Sequence, residues 1–310
     1  MIDKRNKPTF REVVSEGQVF TPSVWDCFSA RAAELAGFKA TLLSGSALAY
    51  SQSGFPDIGL HNQEELVFAT DRIADFQPMP LIIDADDGFG DIINAYRTCQ
   101  RLAKAGAGAI LIEDTPNDRG YARFGRAMEA ATRAGKIDGN VPHPVVSQEH
   151  WLAKIKASIE AVEGTDCVII ARTESKLELG LDDAIQRCVR AAALGAEMTY
   201  VHGLRTIEEC RKVNTALPGW KMFGDVATLD GVPFVTLDEI ADLGFNLVTM
   251  HYLEKGSMYG MMDYGHRVFG DQSTGYADDH TMGGLSKAEQ TQLLRRDWGW
   301  LDAEDRWKAL

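Results

Sequence analysis

Residues 81–88 read Leu81-Ile82-Ile83-Asp84-Ala85-Asp86-Asp87-Gly88. A short apolar run ends there in an acidic turn closed by glycine, and the same form recurs along the chain. Upstream it appears at residues 18–21 and 40–44, and downstream at 109–112, 167–171, 198–201, 221–224 and 246–250. Between these runs lie amphipathic stretches with helical spacing, among them 25–36, 92–104, 148–162, 181–193, 207–215 and 237–243. Strands that are apolar along their whole length are buried on both faces, which marks a parallel sheet covered by helices. Eight strand–helix repeats in 310 residues suit a closed (β/α)8 TIM barrel of the α/β class better than an open doubly wound sheet. The glycines in 105–108, 194–196 and 243–245 each precede a strand, where a helix end and a tight turn favour a positive φ.

Composition narrows the function. With 32 Lys+Arg against 45 Asp+Glu, the formal charge is −13, which disfavours nucleic acid and anionic membrane surfaces as partners. Clustered carboxylates can instead hold a divalent cation and so admit an anionic substrate. The five cysteines, at 27, 99, 167, 188 and 210, are scattered and form no metal-ligand spacing, so free thiols in a reducing cytoplasm are expected. No run approaches the ~20 apolar residues of a membrane helix, and residues 1–10 do not read as a leader, so the mature chain is expected to be the whole chain.

Two stretches break the rhythm. Residues 115–144 are rich in Gly, Arg and Ala and stand where a loop of about two to six residues is usual. After Gly270 a Gly/Asp/His-rich segment leads to a tail carrying Trp298, Trp300 and Trp307. The expected organisation is therefore a barrel over residues 1–270 with a lid at 115–144, and a helical tail over 271–310 that docks on a neighbouring subunit or on its own barrel.

In a barrel of this kind the chemistry sits at the C-terminal strand ends. Those ends read Ser44-Gly45-Ser46, Asp84-Ala85-Asp86-Asp87-Gly88, Glu113-Asp114, Arg172-Thr173-Glu174, His202-Gly203, Asp225 and His251-Tyr252. Asp84 and Asp86, two apart on an extended segment, are expected to share a face within reach of Glu113. Three carboxylates there call for a cation, and an oxygen-only set suits Mg2+, with Mn2+ close behind, unless the segment is only a solvated acidic turn. Arg172 can pair with a substrate carboxylate or stabilise enolate charge, or can serve a structural ion pair with Glu174 or Glu113. The Ser44–Ser46 turn can hold a carboxylate through backbone N–H groups, although such turns are common. His202 reads equally as a ligand-binding group or a histidine packed at the rim.

Five segments, taken together and in order, resemble the isocitrate lyase/phosphoenolpyruvate mutase superfamily over roughly residues 19–270. They are Leu42-Leu43-Ser44-Gly45-Ser46, Gly54-Phe55-Pro56-Asp57-Ile58-Gly59-Leu60, Asp84-Ala85-Asp86-Asp87-Gly88-Phe89-Gly90, Ile112-Glu113-Asp114 and Ile170-Ala171-Arg172-Thr173-Glu174. The resemblance implies a barrel that swaps its last helix with a partner, a homotetramer built from dimers, and Mg2+ held through Asp84, Asp86 and Glu113, partly through water. It further implies 2-oxo-acid or enolate chemistry, a substrate carboxylate at Ser44, Gly45 and Ser46 beside Arg172, and a site aspartate at Asp57. Two departures stand out. The superfamily's carbon–carbon lyases carry a lid cysteine, but no cysteine lies between Asp114 and Val145, and those lyases tend to have Glu where this chain has His202. His202 resembles the phosphonate branch, yet the lysine which that branch carries soon after Glu-Asp is missing before Lys136.

The reading that follows is a Mg2+-dependent lyase acting on a small 2-oxo or 2-hydroxy dicarboxylate. It cleaves a C–C bond or decarboxylates through a metal-bound enolate and releases a pyruvate-like acid. Asp57, Arg172, His202 and Tyr121 are the expected catalytic residues, and Arg123, with Arg119, Tyr121 and Arg126, is expected to close over a distal carboxylate. Tyr121, His143 and water are the candidate proton donors. The alternatives are a phosphonopyruvate mutase or hydrolase, and a non-catalytic keto-acid binder.

Overall fold

The computed structural model describes residues 7–55, 57, 59–116, 144–224, 228–229, 232–233, 235–250, 253–275, 285–294 and 299–309. Packing divides the chain into two compact units, Pro8–His251, and Tyr252–Leu310 together with Met1–Lys7. Among the described residues, eight strands of the first unit build its main sheet: β1 (Val19–Val24), β2 (Thr41–Leu43), β3 (Leu81–Asp84), β4 (Ala109–Ile112), β5 (Val168–Thr173), β6 (Met198–Val201), β7 (Trp220–Phe223) and β8 (Leu247–Met250). They close in the order β1-β8-β7-β6-β5-β4-β3-β2 with every neighbouring pair parallel, the (β/α)8 barrel expected from the repeats. A short antiparallel hairpin joins Thr228–Leu229 to Val232–Pro233.

Each of the eight apolar runs falls on a strand, with ends shifted by a few residues. β1 shows why. The run stops at Thr21 before a proline, yet the strand continues, because Val19 to Pro22 pair with β8 while Ser23 and Val24 pair with β2. A missing N–H at that handover weakens one ladder without breaking the strand. The turn glycines behave as expected, with φ of 99° at Gly106, 110° at Gly195 and 72° at Gly244.

Side chains from alternate positions fill the barrel interior. Val19, Leu42, Ile82, Ala109, Leu111, Val168, Ile170, Met198, Tyr200, Met222 and Leu247 form one buried cluster. Helix Phe10–Ser15 adds Phe10, Val13 and Val14 to it and closes the N-terminal end, while Arg11 forks onto Glu197 at 2.6 and 2.8 Å. Val201, Phe223 and Val248, on the opposite faces of their strands, pack under the outer helices. Because side chains alternate with period two, the next inward positions on β2 to β7 are Ser44, Asp84, Glu113, Arg172, His202 and Gly224. Those six positions ring the mouth.

After β3 the chain departs from extended geometry. Asp86 has φ 51°, Gly88 87° and Phe89 62°, so Asp86 reaches the mouth from a left-handed turn and not along an extended strand, which corrects the expected geometry. Non-glycine residues there cost about 1–3 kcal/mol each and persist only when their surroundings hold them. Asp87 is that support. Its carboxylate accepts from the N–H of Phe89 (3.0 Å) and Gly90 (3.3 Å), and Lys154 on helix Gln148–Ala161 donates to its Oδ2 and backbone oxygen, both at 3.0 Å. A Cβ on Gly88 would stand 2.7 Å from that of Ala95, so the turn also needs its glycine.

The second unit contains helices Leu253–Asp271, Lys287–Leu294 and Trp300–Lys308. No residue of the first is buried, and Met258, Tyr259, Met261, Met262 and Phe269 are exposed. Trp300 and Trp307 are exposed as well, while Trp298 lies outside the described residues. Among the described residues no helix is long and apolar enough to cross a membrane.

The Lys154–Asp87 pair is only 3% and 5% exposed. Lys154→Met, which strands a buried carboxylate, is expected to destabilise the protein by about 3–5 kcal/mol in urea unfolding. Lys39→Met, which breaks the exposed pair with Glu16, should change little.

Candidate active site

Arg172 stands at the centre of the mouth. Its guanidinium reaches Asp84 Oδ2 at 3.1 Å, Glu113 Oε2 at 3.3 Å and Glu174 Oε1 at 2.6 Å, so the ends of β3, β4 and β5 are tied through one cation. Burial alone would lower its pKa, but Glu113, Glu174 and Asp84 outweigh that and hold it well above the ordinary value. The guanidinium is therefore permanently charged. Both readings of Arg172 meet here: it makes the ion pairs with Glu113 and Glu174, and at 18% side-chain exposure it still faces the mouth.

The acidic residues are held from behind. Asp86 N–H donates to Asp84 Oδ1 at 3.4 Å, Glu113 N–H donates to the Asp86 carbonyl at 2.8 Å, and the Thr115 hydroxyl donates to Glu113 Oε1 at 2.5 Å. His61, 3% exposed, places Nε2 3.4 Å from Asp86 Oδ2. Gly45, at the start of helix Gly45–Ser53, lies directly against this pair, where a Cβ would meet the His61 ring at 3.4 Å in ordinary van der Waals contact. Ser44 caps that helix, accepting from Ala47 N–H at 3.3 Å, and lies 2.8 Å from the Ser46 hydroxyl, Oγ to Oγ. A helix start of this kind favours an anion.

On the far side of Arg172, His202 Nε2 is 3.7 Å from Glu174 Oε2, and Nδ1 is hydrogen-bonded to the Tyr200 hydroxyl at 2.7 Å. Beneath the rim, Asp114 accepts from the Thr173 hydroxyl (2.5 Å), Glu174 N–H (2.8 Å) and Arg187 (3.1 Å). Burial pushes its pKa up to about 6, with Thr173, Glu174 N–H and Arg187 pulling the other way. Asp114 is thus a strut that sets the backbone after Arg172.

The structure brings Ser44, Gly45, Ser46, Asp84, Asp86, Glu113, Arg172 and His202 to the mouth. Asp57 lies half-buried after helix Gly45–Ser53, and Tyr121, Arg123, Arg119, Arg126 and His143 fall outside the described residues. Sequence reading overlooked His61, Thr115 and Tyr200, and placed Glu174 only as an ion-pair partner. Tyr200 was legible, being one strand period before His202, whereas nothing local to residue 61 announces its contact with Asp86. The five cysteines are free, and burial pushes Cys99 up to about 12 and raises Cys167 and Cys188 further, so the thiols are poor nucleophiles.

Among the described residues no three His, Cys, Asp or Glu side chains stand close enough to hold a metal ion directly. The donor chemistry still fits Mg2+. Oxygen ligands dominate, negative charge exceeds that of Arg172, and Mg2+ commonly keeps several waters between itself and carboxylates.

An all-parallel barrel with an ionic cluster at its C-terminal mouth defines a (β/α)8 enzyme. The family model described as phosphoenolpyruvate phosphomutase matches residues 10–265. The chain is 28% identical over 238 residues to the 2,3-dimethylmalate lyase of Eubacterium barkeri, with 76% of each chain covered. It is 30% identical over 239 residues to the 2-methylisocitrate lyase of Aeropyrum pernix, covering 77% of this chain and 71% of that one. The solved structure of a phosphonopyruvate hydrolase complex with oxalate and Mg2+ shares the fold, with a TM-score of 0.74 at 23% identity over 100% of this chain and 98% of that one. The chain belongs to the phosphoenolpyruvate phosphomutase family, within the isocitrate lyase/phosphoenolpyruvate mutase superfamily, whose members include these carbon–carbon lyases.

Removal of the Asp114 carboxylate takes one buried partner from Arg187, leaving it Asp183 and the Val146 carbonyl, and leaves Glu174 N–H without its acceptor. Asp114→Ala should therefore cost about 1–3 kcal/mol in chemical denaturation, with Asp114→Asn, which keeps an acceptor, costing less.

Proposed function

We propose that the protein is a Mg2+-dependent lyase for a small 2-oxo or 2-hydroxy dicarboxylate, cleaving C–C or decarboxylating through an enolate and releasing a pyruvate-like acid. The observation that carries this reading is the single guanidinium of Arg172 set among Asp84, Glu113 and Glu174, with Asp86 alongside. Negative charge exceeds positive there, and a divalent cation redresses it. Asp84, Asp86 and Glu113 are the residues to hold that cation, partly through water, while Asp57 is assigned a catalytic role. When bound, Mg2+, or Mn2+ in its place, withdraws electrons from the substrate oxygens.

The chain's own groups supply the rest. The N–H groups that open helix Gly45–Ser53, with Ser44 and Ser46, receive the substrate carboxylate. Arg172, charged at all working pH, stabilises the negative charge that develops on the enolate oxygen. No described cysteine is placed to handle a proton, which favours decarboxylation or a cleavage whose late protonation comes from water, from Tyr121 or from His143. Arg123 and Tyr121 are assigned to the distal carboxylate as parts of a lid over residues 115–144.

The free thiols support a cytoplasmic setting. The exposed apolar side chains of helix Leu253–Asp271 support a helix-swapped dimer of dimers.

An NMR time course with oxaloacetate, substituted malates, 2-methylisocitrate and phosphonopyruvate, with and without EDTA, tests the assignment. The expected result is chelator-sensitive release of a 2-oxo acid from a carbon substrate, with Asp86→Ala and Arg172→Lys each lowering kcat/KM by about 100-fold or more. Turnover of phosphonopyruvate alone would move the protein to the phosphonate branch. Mg2+-dependent binding without product would make it a keto-acid binder.

A further inference from the structure

Among the described residues Tyr200 is the one buried aromatic side chain that a barrel strand contributes to the interior cluster, against which the half-buried Trp220 of β7 also packs. Tyr200 is 4% exposed and makes three contacts that converge on the mouth. Its hydroxyl bonds His202 Nδ1 at 2.7 Å, its ring meets the imidazole edge-on at 5.8 Å between centroids, and its face lies 5.5 Å from the guanidinium carbon of Arg172. The ring can occupy this place only because the next strand has no side chain there. A Cβ on Gly224, immediately after β7, would fall on the Tyr200 hydroxyl and 2.8 Å from Cε2. Tyr200 and Gly224 are thus one packing unit spanning two strands.

The hydrogen bond has a direction that electrostatics decides. Neutral imidazole carries one proton, on Nδ1 or on Nε2. A proton on Nδ1 would leave the Nε2 lone pair facing the Glu174 carboxylate at 3.7 Å, which is repulsive. With the Tyr200 hydroxyl donating to Nδ1, the proton sits on Nε2 and points toward Glu174, which in turn holds Arg172 at 2.6 Å. Glu174 therefore favours the Nε2–H form, Tyr200 secures it by donating to Nδ1 and holding the ring plane of His202, and the Tyr200 ring supports the guanidinium from beneath.

We propose that Tyr200, housed by Gly224, is a positioning residue that fixes the Nε2–H tautomer of His202 and so orders the Glu174–Arg172 arm of the site. The link to turnover rests on the lyase assignment; the tautomer does not. The test is 15N NMR of histidine-labelled full-length protein, with the His202 signals assigned through His202→Gln, followed by kinetics on whichever substrate the panel identifies. His202 should show the Nε2–H form in the native chain and a mixture of tautomers in both Tyr200→Phe and Gly224→Ala. In Tyr200→Phe, kcat should fall about tenfold with KM nearly unchanged, because the loss is one of orientation and not of substrate contact.

An unchanged His202 tautomer in Tyr200→Phe would overturn the proposal, as would a changed tautomer with unaltered kcat. A silent substrate panel would overturn the lyase assignment alone, since the tautomer is read without turnover. If Gly224→Ala fails to fold, Tyr200→Phe, which only removes an oxygen, still decides the matter.

Discussion

Closure of eight parallel strands confines the middle of this protein, and most of the rest follows from that constraint. Inward positions recur every second residue, and the lower ones are filled by Leu42, Ile82, Leu111, Ile170, Tyr200 and Met222. Once that volume is packed, the next inward residue on each strand has nowhere to go but the mouth. Ser44, Asp84, Glu113, Arg172, His202 and Gly224 are thereby brought together from more than half the length of the chain. The apolar core and the polar site are successive layers of one stack.

A gathering of carboxylates in a partly enclosed mouth is unfavourable unless their charge is offset. Arg172 offsets part of it, and its own burial is compensated by the same three partners. Such clusters gain little net stability, because desolvation of each ion opposes the attraction. Their presence here fits a site arranged for charge that arrives with ligand and cation. The structure around them is correspondingly firm: Asp114 and Arg187 brace the backbone after Arg172, and Lys154 with Asp87 braces the turn that presents Asp86.

Two histidines on opposite sides distinguish the mouth. His61 arrives from the segment after helix Gly45–Ser53 and meets Asp86; His202 ends β6 and meets Glu174 and Tyr200. Each imidazole approaches a carboxylate, Asp86 in one case and Glu174 in the other, and Gly224 leaves the room for the Tyr200 ring that holds His202. Relatives named for dimethylmalate and methylisocitrate cleavage share the scaffold. What the scaffold presents at its mouth is shaped by these two imidazoles and their partners.

The chain by itself determined the barrel, since fully apolar runs alternating with amphipathic helices have few other ways to bury both faces of a sheet. It also marked which strand ends carry chemistry, because period two and the position just past an apolar run are local properties. Asp84, Glu113, Arg172 and His202 were legible for that reason. Only the tertiary structure decided that Asp86 reaches the mouth from a left-handed turn, that Asp87 belongs to Lys154, and that His61 and Tyr200 join the site. Those outcomes depend on contacts between residues distant in sequence and on which volume a missing side chain leaves open. Neither is encoded in the spacing of residues along a single strand.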